Sequence, residues 1–259
     1  MQKTSYFSKV FFRLVRGLVH LFYPKITLEG MENLSNGPCI LVGNHTQMNG
    51  PICGELFLPE SSVTWCAYQM MHVKEVPAYA YADFWSGKPK YIRWFYKLLS
   101  YAIAPFSTCV FNNARTIPVY HDNRLLSTFR LTVNALQDGK HVLIFPECYE
   151  PYNHIVNAFQ DKFVDVAKLY HKRTGNAVNF VPLYIAPKLK KMYIGKPTAF
   201  SPTASIKSER ERICRYIADE ITAIAESLPL HTVVPYANIP KKCYKTNRMD
   251  EVPYEKTNG

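Results

Sequence analysis

Apolar and polar positions along this chain follow recognisable periods, and the first thirty residues carry the clearest one. At about 100° per residue, Lys9, Arg13, Arg16 and His20 share a narrow stripe, while Phe7, Val10, Phe11, Leu14, Val15, Leu18, Leu21 and Phe22 occupy the opposite side. A helix with a basic stripe and a wide aromatic and aliphatic face suits a bilayer interface. The same pattern also fits a helix packed on the protein's own core. Pro24 is expected to end it.

Downstream the pattern turns to strands alternating with helices. Apolar runs predict strands at Lys25–Glu29, Cys39–Gly43, Val63–Tyr68, Thr116–Tyr120, His141–Phe145, Val178–Ala186 and Lys191–Ile194. Helices are expected at Tyr91–Ile103, at Arg124–Gln137 stopped by Asp138-Gly139, at Phe159–Lys172 before Thr174-Gly175, and at Ile206–Leu228. Gly30–Pro38 reads as a turn-rich connector. The alternation predicts an α/β fold, a mixed and mostly parallel sheet flanked by helices, behind the N-terminal amphipathic membrane-docking helix. The expected organisation is an interface helix over residues 1–24, an α/β domain over 25–228 and an irregular basic tail over 229–259.

Charge sharpens this picture. The chain has 31 Lys and Arg against 20 Asp and Glu, a formal charge of +11, which suits an anionic membrane, an acidic carrier or nucleic acid. No helix-turn-helix, finger or aromatic β-platform signature accompanies it, so nucleic acid is not an expected partner. The basic residues instead cluster with aromatics, a second time at Lys88, Lys90, Tyr91, Arg93, Trp94, Phe95, Tyr96 and Lys97, the composition of an interfacial anchor. No stretch reaches the roughly 20 apolar residues of a spanning helix: the longest uncharged one, Leu98–Ala114, contains Pro105, Asn112 and Asn113. No cleavable signal peptide is read at the N-terminus. The 7 cysteines stand singly and in odd number, which predicts neither a zinc site nor a disulfide framework, and a reducing cytosol.

Two strand ends carry candidate chemistry. His45 closes the Cys39–Gly43 strand in Gly43-Asn44-His45-Thr46, and Glu147 closes His141–Phe145 in Phe145-Pro146-Glu147. Strand ends of α/β proteins are where reactive side chains gather, and an imidazole there fits general base catalysis. A lone strand-end histidine is more often structural. Cys148 beside such a histidine also admits a nucleophilic thiol, although a small thiol filling a gap is the plainer account.

These residues carry a resemblance. Gly30 and Gly37-Pro38-Cys39-Ile40-Leu41-Val42-Gly43-Asn44-His45 resemble the first block of the glycerolipid acyltransferases, the family of the 1-acylglycerol-3-phosphate acyltransferases, whose pattern is Asn-His-x4-Asp. Thr116-Ile117-Pro118-Val119-Tyr120-His121 resembles the second block, and Phe145-Pro146-Glu147-Cys148-Tyr149-Glu150 stands where Phe-Pro-Glu-Gly-Thr-Arg is expected. Val181-Pro182-Leu183 and Ile194-Gly195-Lys196-Pro197 are similar to the fourth block and the strand ending after it, so the order agrees over about residues 28–228.

The resemblance implies that His45 deprotonates an acceptor hydroxyl, which attacks the thioester of acyl-CoA or acyl carrier protein. It places Asn44, His121, Phe145, Pro146, Glu147, Cys148, Tyr149 and Glu150 in the matching blocks, with Arg124 or Arg115 as a nearby cation. It implies no metal and no cofactor beyond the acyl donor, and a bilayer as partner, met at the cytoplasmic face of a membrane.

The chain is a divergent member of that pattern. Gly50 stands where the histidine-orienting Asp is expected, leaving Glu147, Glu150, Asp122 and Glu55 as candidate replacements. His121 and Glu150 stand where the family has arginines, and neither reproduces an arginine's bidentate grip on phosphate. The expected acceptor is therefore a neutral or cationic lyso-lipid or a glycolipid. The competing expectation is a catalytically impaired relative that binds lipid or acyl chains at a membrane.

Overall fold

The computed structural model describes residues 5–34 and 37–248. The chain runs α1 (Tyr6–Phe22), β1 (Thr27–Glu29), β2 (Cys39–Gly43), α2 (Asn49–Phe57), β3 (Ser62–Ala67), α3 (Val76–Ala80), α4 (Arg93–Asn113), β4 (Thr116–Val119), α5 (Leu125–Gln137), β5 (His141–Ile144), β6 (Glu147–Pro151), β7 (Asn157–Phe159), α6 (Asp165–Thr174), β8 (Asn179–Ala186), β9 (Lys191–Ile194), β10 (Thr198–Ala199) and α7 (Ile206–Ser227). This is an α/β fold with a mixed, mostly parallel sheet and flanking helices. Its contacts separate into two compact units, one of residues up to Pro24 with Val63–Leu131, the other of Lys25–Ser62 with the chain from Thr132 onward.

In the second unit, β2 pairs in parallel with β5 on one side and β8 on the other, and β1 pairs in parallel with β9. The β8–β9 and β8–β10 pairings are antiparallel. β2 is buried along its whole length and β8 in all but its first residue, which is why both read as unbroken apolar runs with no alternation. α7 lies against β8 and buries Ile213, Ile217, Ile221 and Ala225, one helical stripe at i, i+4, i+8 and i+12. Gly30, at φ 79°, sits so close to β9 that a Cβ would lie 2.2 Å from the Ile194 carbonyl oxygen. Only glycine serves there.

In the first unit, β3 and β4 form a parallel pair, with Trp65 opposite Ile117. α4 runs from Arg93 to Asn113, ten residues beyond the expected end at Ile103, with Pro105 inside it. Proline removes one helical hydrogen bond, but Pro105 lies on the exposed side while Ser100, Ala104 and Ser107 are buried on the other. Ala104 packs with Val76 and Ala80 of α3, and the Ser107 hydroxyl and the Asn112 amide donate to the carbonyls of Met70 and Met71. Those contacts outweigh the missing bond.

α1 rests on α4 through one side. Phe11 and Phe106 meet edge to face at 5.9 Å, and the Asn113 amide donates to the Ser8 hydroxyl. No residue of α1 is buried, and Phe7 is 83% exposed, Leu14 63% and Leu21 72%.

Two further differences from the sequence expectation concern short elements. The helix expected at Phe159–Lys172 begins only at Asp165, after a 3-10 turn over Asp161–Val164, because Phe159 is used in β7. β6 and β7 form an antiparallel hairpin that periodicity did not announce. The segment after Pro229 has, among described residues, a 3-10 turn at Lys241–Cys243 and one isolated bridge, Thr232 to Thr246. It is nonetheless tied down: Asn247 is fully buried, and its amide donates to the carbonyls of Ala225 and Leu228 at the end of α7. The rest of the expected tail, 249–259, lies outside the described residues.

Candidate active site

Parallel pairing of β2 with β5 puts Val42 beside Ile144, so both strands end together and deliver His45 and Glu147 to one place. Asn44 anchors the loop that leaves β2. It is 2% exposed, its amide nitrogen donates to the Ile185 carbonyl at 3.1 Å, and its amide oxygen accepts from the Ile185 N–H at 2.7 Å. Asn44 thus extends the β2–β8 ladder by one side-chain rung. The sequence placed it among substrate contacts; its polar atoms are engaged by backbone.

The turn after His45 is strained. Thr46 and Gln47 have φ of 46° and 57°, left-handed values that cost a β-branched residue most. The turn is closed by the Gly50 N–H donating to the His45 carbonyl at 3.1 Å.

Glu147 reaches into this turn from the start of β6 and is 4% exposed. Its Oε1 accepts from the main-chain N–H of His45 at 2.6 Å, and its Oε2 from the N–H of Asn157 at 3.0 Å. The carboxyl therefore staples the histidine loop to the β6–β7 hairpin through backbone. Burial raises its pKa to about 7 against the pull of those two N–H groups. At neutral pH it titrates.

The imidazole is half-buried. Phe145 lies edge-on to it at 5.2 Å and Tyr236 at 5.6 Å, and Tyr149 in turn meets Tyr236 at 5.2 Å. No carboxylate among the described residues hydrogen bonds the ring, and its buried Nδ1 has no hydrogen-bond partner. Burial lowers the imidazole pKa to about 4, opposed by the nearby Gln47 main chain, which does not reach hydrogen-bond geometry with Nδ1. The ring is neutral at physiological pH, the state a base requires.

Gly50, where an orienting Asp was expected, has no room for any side chain. A Cβ there would lie 2.3 Å from the His45 carbonyl oxygen and 3.0 Å from the Phe145 ring. The loop has closed over the position where a carboxylate would stand.

No family model matches the chain, and no curated protein sequence matches it. Among solved structures, the 1-acyl-sn-glycerophosphate (LPA) acyltransferase PlsC from Thermotoga maritima is similar at a TM-score of 0.45 and 12% identity, covering 84% of this chain and 78% of that one.

The remaining predicted residues divide between the units. Pro146, Cys148, Tyr149 and Glu150 sit with Phe145 and Glu147 in the second unit: Pro146 is buried, Cys148 half-buried, Tyr149 and Glu150 exposed. The Cys148 carbonyl accepts from the Asn157 amide at 2.6 Å, and the buried Nδ1 of His45 has no hydrogen bond to the thiol. His121 and Arg124 belong to the first unit, both exposed.

Arg124 is engaged there. Its guanidinium makes a two-pronged bond to Asp122, at 2.7 Å from Nη2 and 3.1 Å from Nε, and lies 4.5 and 4.4 Å from the Tyr68 and Tyr120 ring centres. The arginine pulls the Asp122 carboxyl down to about 2, so both charges are held in the pair. Asp122, a candidate to orient His45, is thereby committed to Arg124.

Residues that the sequence reading missed lie mostly beyond Pro229. Tyr236 covers the imidazole, while Gln47 donates to the Ala237 carbonyl and the Tyr244 hydroxyl, each at 3.0 Å. The only signal for them was the aromatic content of an aperiodic segment, which carries no period to read.

Proposed function

We propose that this protein transfers a fatty acyl group from acyl-CoA or acyl carrier protein to a hydroxyl of a membrane lipid, with His45 as the base. The observation that carries the reading is a neutral imidazole at the end of the central strand, in an Asn-His loop held from behind by the glutamate of Phe-Pro-Glu. In the step, the imidazole accepts the hydroxyl proton as the oxygen attacks the thioester carbonyl. The C–O bond forms, the C–S bond breaks, and the thiolate leaves with the proton from the imidazolium. Because no carboxylate among the described residues supports that imidazolium, slow turnover is expected; in serine proteases the equivalent loss costs about 10⁴.

The test uses purified protein, detergent-solubilised lipid extract and each labelled acyl donor in turn. Wild type is expected to label a lipid and His45→Ala to lose that labelling. Glu150, exposed beside Tyr149, repels phosphate, so a neutral or cationic acceptor should be preferred; preference for lysophosphatidic acid would refute that part. The closed space at Gly50 favours a second reading, a lipid- or acyl-binding relative without turnover. That reading stands if neither protein transfers label with either donor.

Membrane contact at a cytoplasmic face belongs to the same proposal, and the first unit supports it. Leu14, Leu18 and Leu21 of α1 are exposed, as are Trp94, Leu98 and Tyr101 of α4, with Lys9 and Arg13 exposed alongside. No described helix is long and apolar enough to cross a membrane, and an interfacial contact needs none. Each apolar side chain withdrawn from water is worth about 2 kcal/mol, so Leu14→Glu with Leu18→Glu should weaken binding to anionic vesicles more than tenfold in co-sedimentation. Equal sedimentation of the double variant would count against the interface.

A further inference from the structure

The segment from Pro229 to Arg248 lies against the second unit by contacts at both ends and in the middle. At its start, the N–H of buried His231 donates to the Asn247 side chain at 2.9 Å, and the Tyr184 hydroxyl meets the imidazole of His231 at 2.7 Å. At its end, Asn247 bonds the last carbonyls of α7, satisfying acceptors that a helix end leaves open. Between these anchors the chain passes over the histidine loop. There it is held by Gln47, whose amide donates to the Ala237 carbonyl and the Tyr244 hydroxyl, and by the edge contact of Tyr236 with the imidazole.

Gln47 is one of the two strained residues of the turn. Its side chain bonds the strap, which links the conformation of the His45 loop to the seating of residues 236–244. Tyr236 also touches Tyr149 of β6, so Phe145, His45, Tyr236 and Tyr149 form a continuous row of rings.

We propose that residues 229–248 are a strap closing the candidate site, and that Tyr236 is a positioning residue whose ring covers the His45 imidazole and fixes its orientation. The ring contact restrains the orientation of an imidazole whose buried Nδ1 has no hydrogen-bond partner to do so, and it leaves the charge of an imidazolium unsupported. Its meaning depends on the proposed role of His45, but its test does not. Among the described residues, the titratable groups that meet the ring, its loop or Tyr236 are Tyr236 itself, Glu147 on the backbone N–H of His45, Tyr244 on Gln47 and Tyr149 on Tyr236.

The experiment is site-resolved modification of the full chain by diethyl pyrocarbonate, followed at His45 by mass spectrometry, alongside NMR titration of that imidazole. Tyr236→Phe, which keeps the ring that meets the imidazole, should behave as wild type. Tyr236→Ala should be modified faster at His45 and should titrate about one unit higher, a tenfold change in the protonation equilibrium. Gln47→Ala, which releases the strap but keeps the ring, should move both readings the same way and serves if Tyr236→Ala does not fold. Unchanged modification and titration in the alanine variants would overturn the proposal, as would Tyr236→Phe behaving like Tyr236→Ala. Both readings are independent of acyl transfer, so an inactive enzyme with a strap-sensitive His45 would fail the functional reading and leave the strap standing.

Discussion

Gly50→Ala lowers the free energy of unfolding by about 3 kcal/mol, the upper range for overpacking a close-fitted position, and Gly50→Asp lowers it at least as much. The clash is set by the Cβ, 2.3 Å from the His45 carbonyl oxygen; it is therefore common to every side chain and cannot be relieved by choosing a rotamer. The atom it meets is backbone, and that backbone is held by Glu147 on the N–H of His45 and by Gly50 on its carbonyl. Denaturant unfolding of the two variants measures the effect. The functional corollary is that introducing Asp at this position does not supply an acid that orients His45. A Gly50→Asp variant that keeps its stability and gains transferase activity would show instead that the loop opens readily to admit the acid.

Glu147→Gln changes the pH dependence of stability more than its level. Folding raises the pKa of Glu147 from 4.5 to about 7, so the folded state holds a proton that the unfolded state has released, and its contribution falls as pH rises through that window. Folding lowers the pKa of His45 from 6.5 to about 4, so the unfolded state takes up a proton first, and its contribution is lost as pH falls through 6.5 towards 4. Between pH 4.5 and 6.5 the two slopes oppose each other. Each amounts to about 3 kcal/mol over that range, at 1.36 kcal/mol per unit, and the pair nearly cancels.

Glutamine cannot titrate, so the variant unmasks His45. Relative to wild type, Glu147→Gln should lose about 3 kcal/mol on acidification from pH 6.5 to 4.5, read as the difference between two sets of unfolding curves. It should also be less stable at pH 6.5 by about 1–2 kcal/mol, because one backbone N–H then faces an amide NH₂ where it had an acceptor. Parallel stability profiles for the two proteins would show that the carboxyl is ionised across the range and that its two N–H donors outweigh burial.

The strands nearest the site were legible because buried parallel strands are written as apolar runs: Cys39–Gly43 was read at its observed bounds, and His141–Phe145 and Val178–Ala186 within a residue. The two strand-end residues could be singled out for the same reason, since a polar group directly after such a run must stand at the sheet's end. α4 was read short because local propensity at Pro105 is a statement about one hydrogen bond, whereas its extent was decided by packing of Ser100, Ala104 and Ser107. The β6–β7 hairpin escaped because Cys148, Tyr149 and Glu150 show no alternation and its pairing depends on the Glu147 and Asn157 side chains.

By itself, then, the sequence determined the α/β alternation, the amphipathic stripes of α1 and α7, and the candidacy of His45 and Glu147, all properties carried by neighbours along the chain or by one repeating period. Only the tertiary structure decided what those residues do to one another. It turned Glu147 towards the backbone of His45 and not towards its ring, filled the space beside Gly50, paired Arg124 with Asp122, and laid Tyr236, 191 residues further on than His45, across the imidazole. These are contacts between segments distant in sequence, fixed by steric fit and by where buried donors find acceptors, and no local pattern encodes either.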